Sequence, residues 1–177
     1  STLFADGRAM RPRVSGTVPR GSRFSDASFA FGFDDTDFEA ALEEDDATER
    51  RWIAEAPVVA SMEMMERGRQ RFNIHCAVCH GRAGYGNGLA SQRALELQQG
   101  SWIPPTSLHA KHVLEQPDGQ LYGAITNGVR KMPAYGHQIP VEDRWAIVLY
   151  VRALQRSQNA SLDDVPEEIR RTLRERN

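Results

Sequence analysis

The chain has 177 residues, 40% hydrophobic and 26% charged, enough for one domain with arms or marginally two small ones. Its formal net charge of −2 argues against a nucleic-acid partner. The longest apolar run, Trp145 to Val151, is seven residues. A membrane span takes about twenty, so this segment does not cross a bilayer.

Residues 1–57 are unusual for a globular domain. Arg8, Arg11, Arg13, Arg20 and Arg23 face a single acid, Asp6, in the first 23 residues. Asp34, Asp35, Asp37, Glu39, Glu43, Glu44, Asp45, Asp46 and Glu49 then arrive before the next base, Arg50. No helical or strand period persists, and two readings follow: a solvated tail, or an extended arm that orders against a partner or the chain's own surface. Six of the seven phenylalanines (Phe4, Phe24, Phe29, Phe31, Phe33 and Phe38) lie here, which favours the arm because solvated tails are aromatic-poor. The chain opens at Ser1, not at methionine, which reads as a processed form that has lost a signal peptide.

Residues 58–157 read as a compact helical domain. Ser61 is a suitable N-cap, with Glu63 near the positive helix end, for a helix over Met62–Asn73. Met65, Gly68 and Phe72 share one face. The helix leads into Cys76-Ala77-Val78-Cys79-His80, the C-x-x-C-H pattern of covalent haem c attachment. Each thiol can bond one porphyrin vinyl group, and the histidine can present a ring nitrogen to the iron. The same pattern admits a redox disulfide or half of a zinc site. A thioredoxin-like disulfide needs a βαβ context, and none is visible. Zinc could draw on His109 and His112, but they stand far outside finger spacing. One covalent haem c is the expectation. It uses both cysteines, leaves none for a disulfide, and points to the oxidising, exported side of a membrane.

Gly81 to Gly88 superficially resembles a phosphate loop but lacks the G-K-[ST] ending and a preceding strand. It reads better as a tight chain reversal near the haem edge, where glycines accept positive φ. Pro104 or Pro105 is expected to turn a carbonyl towards the unligated nitrogen of His80. A second helix is expected over Asp118–Asn127, capped by Asp118 and ended by Gly128 in the left-handed conformation.

The sixth iron ligand separates carrier from enzyme. Met132, the only methionine after the haem motif, sits in the loop Asn127 to Tyr135 between two predicted helices, stiffened by Pro133. It is the expected axial ligand opposite His80. A neutral thioether favours ferrous iron and raises the reduction potential relative to a second histidine. His109, His112 and His137 compete for that place. Met62, Met64 and Met65 read as packing. A third helix is expected from near Pro140 to near Gln155, apolar over much of its circumference and therefore largely buried. Residues 158–177 are a polar tail. Asp164 and Glu167 have capping-box spacing, Pro166 stands in the first turn, and Val165, Ile169 and Leu173 form a narrow stripe.

Gly68 and Phe72, Cys76-x-x-Cys79-His80-Gly81, Met132-Pro133-Ala134-Tyr135, and Trp145, Tyr150 and Leu154 together resemble a class I mono-haem cytochrome c over roughly residues 60–156. The resemblance implies an all-α fold in which the first and last helices cross beside the haem. Gly68 would permit the close crossing, and Phe72 would meet Ile147 and Tyr150. Tyr135 joins Pro104 and Pro105 as an expected haem-pocket residue.

A narrower resemblance covers most of the chain. Its residues are Ala5-Asp6-Gly7-Arg8, Arg11-Pro12, Gly16 to Gly21, Glu66 to Phe72, Pro104 to His109, Ile125 to Gly128 and Asp143 to Val148. They are similar to the mono-haem cytochrome c subunit, the E subunit, of bacterial alternative complex III. His75 stands where an aromatic is expected, and the acidic stretch 34–49 has little that matches. The resemblance implies an electron carrier, not itself an enzyme, within a quinol-oxidising respiratory membrane complex. Its partners would be other subunits of the complex, including a multihaem cytochrome, and a terminal oxidase or soluble carrier. Its place would be the periplasmic side of the inner membrane. Members are often anchored through an N-terminal cysteine, which this sequence lacks, so any anchor would lie upstream of Ser1. The competing readings are a freely diffusing periplasmic cytochrome c, a haem enzyme or ligand sensor with a labile Met132, and a zinc module.

Overall fold

A computed structural model describes residues 26–33 and 51–175. The described residues are helical and form no strands. The elements are α1 (Ala27–Phe31), α2 (Met62–His75), α3 (Ala77–His80), α4 (Leu89–Glu96), α5 (Lys111–Leu114), α6 (Asp118–Asn127), α7 (Val141–Gln158), a 3₁₀ turn (Leu162–Asp164) and α8 (Glu167–Glu175). No described helix is long and apolar enough to cross a membrane. Two compact units result. One comprises Pro117–Trp145 and the described residues up to Val59; the other comprises Ala60–Gln116 and the chain from Ala146.

The first unit is built on α6, which buries Leu121, Tyr122 and Ile125. The Tyr122 ring stacks on Trp145 at 4.1 Å between centroids, 16° from parallel. Each ring is fully buried and each polar tip finds a carbonyl. The Trp145 indole donates to the Phe29 carbonyl at 2.7 Å and the Tyr122 hydroxyl to that of Ala30 at 2.8 Å. Aromatics bury well only when those tips are paired, so the two bonds dock α1 on the stack. Asp26 caps α1 by accepting from the Phe29 N–H at 3.0 Å.

Residues 51–57 complete the start of α6. The first N–H groups of a helix have no partner within it. Here those of Asp118 and Gly119 donate to the carbonyls of Ala54 and Ile53, at 3.2 and 3.0 Å. The Asp118 carboxylate accepts from the Ala56 N–H at 2.8 Å. The expectation that Asp118 caps its own helix is thus corrected. Pro117 takes the N-cap place, and the Asp118 side chain serves the incoming segment instead. Trp52 lies over Gly123, where a Cβ would collide with the indole. Of the arm anticipated over residues 1–57, residues 26–33 and 51–57 are therefore packed on α6; residues 1–25 and 34–50 lie outside the described residues.

α6 spans the expected residues and ends at Gly128, whose φ is 79° but whose ψ of 166° is extended, not left-handed helical. The cause is the following loop, which must turn back at once. A Cβ at Gly128 would stand 2.6 Å from the Met132 carbonyl.

In the second unit α2 starts as expected, with the Ser61 hydroxyl accepting from the Met64 N–H at 3.1 Å, and continues to His75. It crosses α7 at Gly68, where a Cβ would collide with the Ala146 carbonyl. One turn on, the Phe72 and Tyr150 rings meet at 5.5 Å. α7 also holds the loop before α6: Gln155 donates to the Leu108 carbonyl at 2.7 Å, and the Arg152 guanidinium to the carbonyls of Leu114 and Gln116. In the tail the capping box forms between Ser161 and Asp164, not Asp164 and Glu167. The Ser161 N–H, with its hydroxyl and Arg156 adding, holds the Asp164 carboxyl below the usual range. Ile169 on α8 is exposed, Val165 half-buried, and the Leu173 side chain lies outside the described residues.

Burial pushes the Tyr122 phenol up to about 12, although Arg144 and a hydrogen bond with Thr126 pull the other way. An unfolded chain ionises its tyrosines near 10, so this contribution to stability is complete below pH 10 and is lost as pH rises towards 12. Tyr122→Phe should cost about 1–2 kcal/mol near neutral pH, where the Ala30 carbonyl loses its donor. It should also flatten the fall in stability between pH 10 and 12. Denaturant melts of the two proteins across that range check both outcomes.

Candidate functional site

The Cys76–His80 segment is a single helical turn at the end of α2. The Cys76 N–H closes α2 on the Phe72 carbonyl at 2.8 Å. The Cys76 carbonyl then accepts from the N–H groups of Cys79 and His80 at 3.1 and 2.9 Å. Residues three apart on a helix share a face, so the two sulfurs lie on one side of the chain with His80 beside them. Both cysteines are free and half-buried.

The glycine segment reverses the chain, as expected, and is no phosphate cradle. Gly84 and Gly86 each have φ of 80°, a conformation that side chains disfavour. With these turns in place, the Gly86 N–H reaches the His80 carbonyl at 2.8 Å and the Gly88 N–H the Cys79 carbonyl at 3.0 Å. The fully buried Ser91 hydroxyl on α4 adds a second donor to the Cys79 carbonyl at 3.2 Å. Gly88 packs directly on the turn, and a Cβ there would stand 2.6 Å from the Ala77 carbonyl.

The electrostatics suit covalent haem better than zinc. Burial, with Cys79 adding, pushes the Cys76 thiol up to about 12. A zinc ligand must be a thiolate, which this setting opposes, whereas a thioether carries no charge. Burial lowers the pKa of His80, keeping the imidazole neutral, the form that binds iron. Its Nδ1 is buried without a hydrogen-bond partner. Among the described residues no three His, Cys, Asp or Glu side chains converge as a metal cluster, so His109 and His112 complete no zinc set. The residues present fit a haem held by two thioethers and an imidazole.

The expected hydrogen bond from His80 to a proline carbonyl is not formed. Pro104 is exposed, and the Pro105 carbonyl occupies the space that a Cβ on Gly86 would need. The lack of a side chain at Gly86 lets that carbonyl settle on the loop and not on the imidazole. His109 is half-buried and contacts the Ala83 carbonyl through Nε2 at 2.6 Å, with the Tyr85 ring 4.7 Å from its own. It thus holds the reversal loop, while His112 and His137 are exposed. Met132 and Tyr135 belong to the first unit. Met132 is half-buried and closes a tight turn with Val129, their N–H and carbonyl groups exchanging bonds of 2.9 and 3.1 Å. The Tyr135 N–H donates to the Ile125 carbonyl at 2.9 Å.

Ser91 and the His109–Ala83 contact were not singled out in the sequence as supports of the turn. Ser91 and Gly88 carried a weak signal, a small-residue pair opening the helix after the glycine loop. His109 carried none, because its partner is a backbone carbonyl.

A family model described as "Cytochrome C oxidase, cbb3-type, subunit III" matches residues 63–151. No match was found among functionally curated proteins. Among solved structures, a chain of the Kuenenia stuttgartiensis reducing HAO-like protein complex is similar, with 20% identity and a TM-score of 0.45. The likeness covers 55% of this chain and only 46% of that one, and carries no argument about function. The family match spans just over half of the chain, from α2 through the haem-type turn into α7, and on it the chain belongs to that family, with a class I c-type cytochrome domain that binds haem c and transfers electrons.

Proposed function

We propose that this chain is the mono-haem cytochrome c subunit of a quinol-oxidising membrane complex of the alternative complex III type. It would act on the periplasmic side, passing electrons from a multihaem subunit towards a terminal oxidase or soluble carrier. The carrier role rests on one observation above others: the Cys76–His80 turn sets two cysteine sulfurs and an imidazole on one short helical segment. Cys76 and Cys79 would hold a single haem c, and His80 and Met132 would be its axial ligands. Bound there, the haem supplies a one-electron couple. The turn would fix its position, and Met132, on the loop it closes with Val129, would supply the thioether. Pro105 and Tyr135 are pocket residues in this reading. The membrane-complex role draws its support from the resemblance of the N-terminal motifs.

Three measurements test these statements. Replacing both cysteines, Cys76→Ser with Cys79→Ser, should leave haem that no longer stays with the denatured chain, read by haem staining after denaturing electrophoresis. Met132→Ala should abolish the sulfur-to-iron charge-transfer band and lower the potential by on the order of 0.1–0.3 V, part of the ~0.8 V that axial ligation spans. An unchanged spectrum would remove Met132 from the iron. Finally, mild solubilisation of membranes should recover the chain in a large assembly that contains other haem proteins. Recovery only as a soluble monomer would favour the freely diffusing carrier.

A further inference from the structure

The Met132 loop hangs from the last turn of α6. A helix ends with carbonyls that have no partner inside it. Here the loop supplies the donors: the Gly128 N–H on the Ala124 carbonyl at 3.0 Å, Tyr135 on Ile125 at 2.9 Å and Gly136 on Thr126 at 3.1 Å. Both ends of the Gly128–Gly136 loop are thus tied to Ala124–Thr126. The position of Met132 depends on how firmly that turn is held.

One side chain holds it from outside. Arg144 is buried, 5% exposed, and donates through Nη1 to the Thr126 hydroxyl. The same hydroxyl donates back to the Tyr122 carbonyl at 2.8 Å, so it joins the guanidinium to the helix backbone. The guanidinium carbon also lies 4.7 Å from the Tyr122 ring centroid. A cation beside the last turn meets the negative end of the helix dipole, and burial strengthens that attraction. Desolvating a guanidinium is expensive, and an apolar side chain would fill the same volume without that cost. The arrangement does what an apolar residue cannot: it fixes the rotation of the turn through a directional, charge-assisted bond.

We propose that Arg144 is a positioning residue for the Met132 loop, acting through Thr126. This rests on the reading of Met132 as an axial ligand. Removing the link loosens the turn that carries Tyr135 and Gly136, and the thioether then yields more readily to an external ligand.

The test uses the full-length haem-loaded protein and imidazole as the competing ligand, followed by loss of the sulfur-to-iron band well below the melting temperature. Thr126→Val keeps the volume, removes the hydroxyl and avoids the folding risk of an Arg144 truncation. It should raise the apparent affinity for imidazole about tenfold, the effect of losing one charge-assisted bond. Thr126→Ser retains the hydroxyl and should stay near wild type. Asp26→Ala removes the cap of α1 in the same unit without touching the link, and should also bind imidazole as wild type does. Wild-type affinity in Thr126→Val, or an equal rise in Asp26→Ala, overturns the proposal. Met132→Ala separates the two failures. If wild type lacks the band, or Met132→Ala keeps it, the ligand reading falls and takes this proposal with it. If the band needs Met132 but ignores Thr126, the positioning role alone falls.

Discussion

A turn that offers two sulfurs and an imidazole on one side must satisfy its own carbonyls elsewhere, and this constraint organises the second unit. The carbonyls of Cys79 and His80 have no continuing helix to bond to, because the chain reverses at Gly81. The reversal itself answers the need, folding Gly86 and Gly88 back as donors. That return requires positive φ at Gly84 and Gly86 and no side chain at Gly88. α4 then begins beside the turn, and Ser91 adds its hydroxyl. The loop's far side is tied to the His109 ring, and α7 holds the Leu108 carbonyl next to it through Gln155. The glycine spacing is therefore a consequence of the haem-type turn, not a separate motif.

The first unit solves a different problem with similar means. α6 is short, ten residues, and an isolated helix of that length is marginal in water. Its stability comes from burying Tyr122 and Ile125 and from partners at both ends. Ile53 and Ala54 take its first N–H groups, and Tyr135 and Gly136 donate to its last carbonyls. The Tyr122–Trp145 stack sits between, and its two polar tips recruit α1. Residues 26–33 and 51–57 belong to the fold for this reason, which makes deletion of residues 1–57 a poor probe of partner binding. Such a deletion would strip α6 of its first-turn acceptors whether or not a partner exists.

What the sequence revealed and what it hid divide along the range of the interactions. The C-x-x-C-H turn, the Ser61 cap, the extent of α6 and the Gly68–Phe72 face are set by neighbours a few residues apart, so spacing alone carries them. The phenylalanines before residue 40 suggested packing but could not say on what. The carbonyls of Phe29 and Ala30 meet Trp145 and Tyr122 from about a hundred positions away. Asp118 looked like a cap because aspartate before a helix usually is one; the competing claim came from Ala56. The carbonyl of Pro104 or Pro105 was expected at His80; that of Pro105 instead lies over Gly86, a choice made by space that no residue pattern records.

The same packing decides what kind of redox site this chain makes. Burial holds the Cys76 thiol and the His80 imidazole in their neutral forms, and thioether bonds add no charge. With Met132 as the proposed second ligand, the two thioethers, the imidazole and the methionine sulfur would all be uncharged. An electron arriving at such a site meets no ligand that must gain or lose a proton. The bonds to the Cys79 and His80 carbonyls come from backbone N–H groups and the Ser91 hydroxyl, which do not titrate near neutral pH. The donors assembled around this turn are glycine N–H groups and a serine hydroxyl, which hold its carbonyls in place.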